Sequence, residues 1–216
     1  MPVSVIIPTL NEQERIPATI VAAMIAGAAE VIVSDGGSSD ATIEAAREYG
    51  ARVVTGATMR AAQLNLGARE AVHDALLFLH ADTLLPPGAC YAVEGALAEG
   101  IVFGGFRIGF LESGLGFAAA LINLRTRITR EPWGDQAQFT SRAAFPGYRE
   151  IPIMEDYELA KRMKKLGRTA LLPLTVRTSG RRFCELGAVR TAALNWWIIA
   201  CYHAGVSPER LAGWYR

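Results

Sequence analysis

Net charge, cysteine and long apolar runs are all scarce in this chain, and each scarcity closes off a class of protein. Twenty-two basic and 21 acidic side chains leave a net charge of only +1. That excess is too small to neutralise a phosphate backbone, so no nucleic-acid partner is expected. The three cysteines, Cys90, Cys184 and Cys201, are scattered and odd in number. They make neither a disulfide framework nor a metal knuckle, and they suit a reducing compartment. The most apolar stretch, residues 192–206, is broken by Asn195 and His203 and falls short of the ~20 residues that span a bilayer. The opening MPVSVIIPTLNE carries neither a basic segment nor a long apolar one, so no secretory leader is expected and the cytoplasm is the expected setting. No G-x-G-x-x-G follows the first apolar run, and G-x-x-x-x-G-K-[ST] occurs nowhere; two common phosphate-loop designs are thereby excluded.

What is present is a rhythm. Apolar residues make up 51% of the 216, enough for a sizeable core in a single domain spanning 1–216. Short apolar runs at 3–7, 30–34, 52–55 and 75–79 alternate with helically spaced segments at 12–26, 40–49 and 60–72. That alternation predicts βαβ units, an α/β fold and a mostly parallel central sheet flanked by helices. Continuous runs such as VSVII, EVIVS and ALLFL suit strands covered on both faces. After about residue 100 the rhythm breaks. Strands are expected at 101–110, 136–141 and 171–178, and helices at 114–129 and 154–166, with a C-terminal helical segment at 185–216.

Ligands of such sheets bind beyond the C-terminal strand ends, so those residues carry the functional expectation. The first run ends in Pro8-Thr9-Leu10-Asn11-Glu12. Proline is expected to stop the ladder there, and Asn11 with Glu12 either caps a helix or faces a ligand. The second ends in Ser34-Asp35-Gly36-Gly37-Ser38-Ser39-Asp40. It is either an ordinary Asp-Gly turn or a place where backbone approaches a ligand closely and Asp35 accepts a base N–H or ribose hydroxyl. The fourth ends in His80-Ala81-Asp82. Asp82 there is either a turn residue or the one protein carboxylate of a Mg²⁺-type ion whose other ligands are substrate oxygens. Glu155, Asp156 and Glu158 open a predicted helix. They either complement its dipole or supply, through Asp156 or Glu155, a general base.

Taken together, these elements resemble the family 2 glycosyltransferases. The resemblance rests on Val5-Ile6-Ile7-Pro8-Thr9-Leu10-Asn11-Glu12, on Val31-Ile32-Val33-Ser34-Asp35-Gly36-Gly37-Ser38-Ser39-Asp40 and on Phe78-Leu79-His80-Ala81-Asp82, in order and separation. Gly134-Asp135-Gln136, Met154-Glu155-Asp156-Tyr157-Glu158-Leu159 and Ser179-Gly180-Arg181-Arg182-Phe183 are similar to a compact bacterial branch. The resemblance implies a GT-A type fold, a nucleotide-diphospho-sugar donor such as a UDP-sugar, and transfer to an acceptor hydroxyl, inverting and assisted by Mg²⁺ or Mn²⁺. Residues 1–100 would hold the nucleotide and 101–184 the acceptor. Pro8, Thr9, Glu12, Asp35 and Gly36 would line the base and ribose pocket, with Arg60 and Gln63 over the nucleotide. Ala81 and Asp82 would meet the diphosphate, Asp82 holding the metal, and Asp156 would be the base beside Glu155. Arg181 and Arg182 look like a variant of a Gln-x-x-Arg-Trp motif without its Gln, which argues against processive synthesis. His80 stands where the family's metal motif has its first Asp, and this departure keeps a non-catalytic nucleotide-binding module in view. A sugar-phosphate nucleotidyltransferase is the other alternative, although a Gly-rich basic loop after the first strand is missing.

Trp196, Trp197, Ile198, Ile199 and Tyr202 make the last helix apolar on several faces. Packing against the sheet or a second subunit is one reading; an interfacial helix at the inner face of a membrane, serving a lipid-linked acceptor, is the other.

Overall fold

The computed structural model describes residues 1–215, apart from the side chain of Ala188; Arg216, the last residue of the expected C-terminal segment, lies outside the described residues. Strands β1 (Val3–Thr9), β2 (Glu30–Asp35), β3 (Arg52–Thr55) and β4 (Ala75–Phe78) pair in parallel in the order β3-β2-β1-β4. Helices α1 (Ile16–Ile25), α2 (Thr42–Glu48) and α3 (Arg60–Glu70) connect them. The period of two in the strands separates two cores. Val3, Val5, Ile7, Val31, Val33 and Leu77 face one, with Ile16, Ile20 and Ala23 of α1 and Ala46 of α2. Ile6, Ile32, Leu76 and Phe78 face the other, with Ala61, Leu64 and Ala68 of α3. The contact with α3 is close: a Cβ on Gly67 would sit 2.5 Å from Ile6 Cγ2, so only glycine lets this helix lie on β1.

The second part of the chain continues the same sheet in mixed sense. Strand β5 (Thr83–Leu84), helix α4 (Ala89–Ala98), β6 (Phe103–Phe110), α5 (Gly116–Thr129), β7 (Phe139–Ser141), α6 (Glu155–Leu166) and β8 (Thr169–Thr178) follow in order. The sheet then reads β3-β2-β1-β4-β7-β6-β8-β5. Pairings of β7 with β4 and β6 are antiparallel, β6 with β8 is parallel, and β5 with β8 is antiparallel. The β6–β8 register slips between Phe106 and Arg107, where Pro173 and Leu174 are passed over; a bulge is where a residue without an N–H can sit in a strand. Three further helices, α7 (Arg181–Leu186), α8 (Ala188–His203) and α9 (Pro208–Tyr215), complete the chain. No helix among the described residues is long and apolar enough to cross a membrane.

Three expectations are corrected here. Pro8 does not end the ladder: β1 pairs with β2 through Thr9, but with β4 only as far as Ile6. The missing N–H of Pro8 therefore lies where β1 has a neighbour on one side only. Asn11 is no helix cap, and Glu12 is not in a first helical turn, because α1 starts at Ile16. The segment at 136–141 is strand only from Phe139, and a 3-10 turn occupies Gly134–Gln136. Strand β5 and helix α4 had no counterpart in the sequence reading: one is two residues long, and the other, AC-YAVEGALA, is too evenly apolar for a clear period.

Candidate active site

Two loops are laced together beyond β1 and β2. Asn11, at φ 55, donates its N–H to Ser38 Oγ (2.9 Å) and accepts Ser39 N–H at Oδ1 (2.9 Å). Glu12 N–H reaches Thr42 Oγ1 (2.8 Å), and Ala41 N–H reaches Gln13 Oε1 (2.9 Å). Asp35, only 1% exposed, holds this lacing from beneath. Its carboxylate accepts from Thr9 Oγ1 (3.0 Å), Gly37 N (2.9 Å), Ser38 N (2.8 Å) and Ser38 Oγ. Burial pushes the carboxyl up, but the hydrogen bonds from Ser38, Gly37 and Thr9 outweigh it and hold Asp35 below its usual range. Four donors fill the acceptor positions of one carboxylate. In this conformation Asp35 shapes the loop, and its four acceptor positions are taken.

Gln63 is a second scaffold residue. Its Nε2 donates to the backbone oxygens of Thr9 (2.7 Å) and Ser34 (2.7 Å), tying α3 to both strand ends. A Cβ on Gly36 would lie 2.9 Å from that nitrogen, so Gly36 is present to let Gln63 through.

The end of β4 is fixed from both sides. Thr19 Oγ1 of α1 donates to Ala81 O (2.6 Å), and Ser179 N–H donates to Asp82 O (3.2 Å). The latter follows from β5 pairing with the last residues of β8, and it sets Asp82 beside Arg181. Asp82 lines a cleft of about 610 Å³ with Arg15, Leu111, Glu112, Arg181 and Cys184. Burial and the charge of Glu12 raise its pKa, against Arg181 and Arg15. Glu12 itself is paired with Arg15 at 3.1 Å.

The acids that open α6 meet the first part of the chain through Arg60. Its guanidinium pairs with Glu155, whose side chain is 2% exposed. Burial raises Glu155, opposed by Arg60. Asp156 accepts Gly134 N–H at Oδ2 (2.7 Å) and Tyr157 N–H at Oδ1 (2.8 Å). Each oxygen keeps one lone pair for a further donor. A Cβ on Gly134 would fall 2.8 Å from His80 Nε2 and 3.0 Å from Asp156 Oδ2, so the imidazole at the tip of β4 and the Asp156 carboxylate flank one glycine. Burial and the charge of Arg60 push His80 down to about 4, leaving a neutral imidazole at pH 7.

Gln138 carries no signal in the sequence, and Asp135 and Gln136 enter there only through the resemblance. Gln138 is buried and donates to Pro132 O (2.9 Å) and Asp156 O (3.0 Å). Gln136 accepts from Thr126 Oγ1 (2.8 Å) and Arg125 (3.0 Å) and donates to Phe106 O (3.0 Å). Next to Gln136 in the chain, Asp135 has a buried Oδ1 without a partner among the described residues. Its pKa is pushed to about 6 by burial, with Asp156 and Asp82 adding and Arg125 opposing. The Gly-Asp-Gln string was visible, but not that its Asp would face two other acids. Non-glycine residues at positive φ, Arg130, Ala137 and Met154, bracket this turn and α6; each stores roughly 1 kcal/mol or more. Arg182 is taken up by Tyr215, which itself feels the charges of Asp156, Asp135 and Arg60. It stacks on Tyr215 (3.6 Å to the ring centre) and donates to the backbone oxygen of that residue, fastening α9.

The parallel strands of a mixed α/β sheet end at Thr9 and Asp35, with Asp82 just past β4 and a pair of acids opening α6, the side of such a sheet on which ligands bind. The family profile "Glycosyl transferase family 2" matches residues 4–151, and the chain belongs to that family. Among curated protein sequences none matches the chain. Solved structures do. Staphylococcus aureus TarS, residues 1–349, superposes with a TM-score of 0.69 at 17% identity, over 83% of this chain and 60% of that one. A longer TarS structure is spanned over only 37% of its length. Glucosyl-3-phosphoglycerate synthase from Mycobacterium tuberculosis, in complex with Mn²⁺, UDP and glucosyl-3-phosphoglycerate, gives a TM-score of 0.61 at 20% identity, over 89% of this chain and 77% of that one. The same enzyme with Mg²⁺ and UDP gives the same score and coverage.

Proposed function

We propose that this chain is an inverting glycosyltransferase that moves a sugar from a nucleoside-diphosphate donor, of which UDP is the first choice, to an acceptor hydroxyl. The observation that carries the reading is the meeting of His80, at the tip of β4, with Asp156, at the start of α6, over Gly134. In this reading residues 1–100 hold the donor and the later part presents the acceptor, on the cytoplasmic side, in a bacterial setting. Thr9, the backbone around Gly36 and the loop held by Asp35 line the nucleoside pocket. Arg60 is directed by Glu155 toward the crevice and complements donor phosphate charge, so Glu155 acts through Arg60 and not as a base.

Asp156 takes the proton of the acceptor hydroxyl as its oxygen attacks the anomeric carbon from the face opposite the diphosphate. One base on that side, with no second carboxylate assigned as nucleophile, gives inversion. Arg181, beside Asp82 in the cleft, stabilises the departing diphosphate. A divalent cation fits as a partner of Asp82. Among the described residues no three His, Cys, Asp or Glu side chains are grouped to hold an ion. Mg²⁺ and Mn²⁺ nevertheless accept one protein carboxylate when substrate phosphate and water fill the remaining positions. Such an ion would add charge stabilisation to the leaving group.

Calorimetry tests the donor half of this reading. UDP should bind more tightly with Mn²⁺ or Mg²⁺ than without, by about tenfold, and Asp82→Ala should remove that gain. Equal UDP binding with and without metal in the intact chain overturns the metal assignment, and no UDP or GDP binding at all overturns the donor assignment.

A further inference from the structure

Helix α5 packs one side against β6 and shows solvent another that is wholly apolar. Ala119 and Thr126 are buried, and Asn123 exchanges two hydrogen bonds with the backbone of Ile108 (2.8 and 2.9 Å). On the far side Phe117, Leu121, Leu124 and Ile128 are 77%, 49%, 54% and 73% exposed. At 3.6 residues per turn these four fall within an arc of about 60° and extend about 17 Å along the axis. Single exposed apolar side chains are ordinary, but four in register form a surface.

Charge indicates what covers it. Between Ser113 and Arg130 the chain has no acid, and its only charged residues are Arg125, Arg127 and Arg130. Arg125 turns inward and stacks over Trp133 at 3.4 Å; Arg127 and Arg130 are exposed. A second copy placed on this face by a two-fold axis would set the arginine-bordered strip against its own image, with no carboxylate on that strip to meet it. An apolar strip bordered by cations instead complements the boundary layer of a bilayer that contains anionic lipid. Helix α8 has a similar exposed composition, with Val189, Trp196 and Trp197 at 84%, 60% and 60% and no acid from 186 to 208.

We propose that α5 is an interfacial helix that seats the chain on an anionic lipid surface, with Phe117, Leu121, Leu124 and Ile128 among the acyl chains and Arg127 and Arg130 at headgroup level. The residues leading into α5, Leu111 and Glu112, line the Asp82 cleft, so a seated α5 brings the mouth of that cleft to the lipid. The proposal goes beyond the donor chemistry and is read by binding, not by turnover.

The test is co-sedimentation of the full chain with vesicles of phosphatidylcholine alone, or with about a third of it replaced by phosphatidylglycerol. The intact chain should bind the anionic vesicles about tenfold more tightly than the neutral ones, and less so in high salt. Phe117→Glu combined with Ile128→Glu, both at exposed positions, should reduce that binding at least about tenfold without moving the melting temperature. Arg127→Gln should cost about fivefold and flatten the salt dependence. The proposal is overturned if the intact chain binds neither vesicle, or if Trp196→Ser with Trp197→Ser abolishes binding while the α5 pair leaves it unchanged. It is equally overturned if sedimentation equilibrium finds a dimer that the α5 pair dissociates, since the occupant is then a second copy.

Discussion

Asp35 and Asp135 are both largely hidden carboxylates near the same crevice, and they are treated in opposite ways. Asp35 receives four hydrogen bonds, and its pKa falls in spite of burial. Asp135 keeps an oxygen without a partner among the described residues, and burial, with other acids nearby, raises its pKa to about 6. The first loop is therefore complete before any ligand arrives. The turn at Gly134–Gln136 is less fully satisfied: Asp135 lies near Asp156 and Asp82, with Arg125 as the opposing charge. The fold meets the charge of one acid fully and leaves that of the other partly unmet.

The sharpest way to break this division is through chemistry. Asp156→Asn should lower turnover by about 10²–10⁴-fold while UDP binding stays within about twofold; unchanged turnover in a steady-state assay with the cognate sugar nucleotide would show that the base lies elsewhere. Next in size is stability. Asp35→Ala leaves the N–H groups of Gly37 and Ser38 and the hydroxyl of Thr9 without their acceptor, and should cost about 3 kcal/mol in urea unfolding at pH 7. A loss near zero would mean the loop does not depend on Asp35.

Asp135 should behave in the opposite sense. Its folded pKa, about 6, lies above the ordinary 3.8, so the fold prefers the protonated acid. That contribution to stability is complete below pH 3.8 and is lost as the pH rises through about 6. Asp135→Asn cannot ionise and keeps it, so the variant should exceed the wild type by about 2 kcal/mol at pH 7 and by nothing near pH 3.5. A stability gain of the same size at both pH values would sink the electrostatic explanation. The smallest effect concerns thiols. Burial and Glu94 push Cys90 up to about 12, whereas Cys184 is exposed in the Asp82 cleft. At pH 8, iodoacetamide should label Cys184 in the folded chain and leave Cys90 untouched, as read by peptide mass mapping.

Much of the first hundred residues was legible because there the physics is local. Parallel strands covered on both faces read as unbroken apolar runs, and three of the four expected strands differ from the observed ones only at their C-terminal ends. The later part was less legible because its order depends on distant partners. Strand β5 exists only because Thr83 and Leu84 find Thr178 and Arg177. The 3-10 turn is held by Gln136 through Phe106 and Thr126. At the site, residue types were readable and directions were not. Asp35, Gln63 and Arg182 had the chemistry of ligand contacts, yet they point respectively at a loop, two backbone oxygens and Tyr215. The neighbours of Gly134 could not be inferred from any spacing, since His80 and Asp156 reach it from 54 residues before and 22 after.

The two-residue strand after Asp82 has a wider consequence. By stitching position 83 to position 178, it makes the long excursion between them a closed loop whose two feet stand together. Lengthening or exchanging the outer portions of that excursion, α4 or the turn into α5, leaves the feet in place. Asp82 and Arg181, which line one cleft beside those feet, would survive such remodelling, so a chain built in this manner can vary its outer surface without disturbing that end of the cleft.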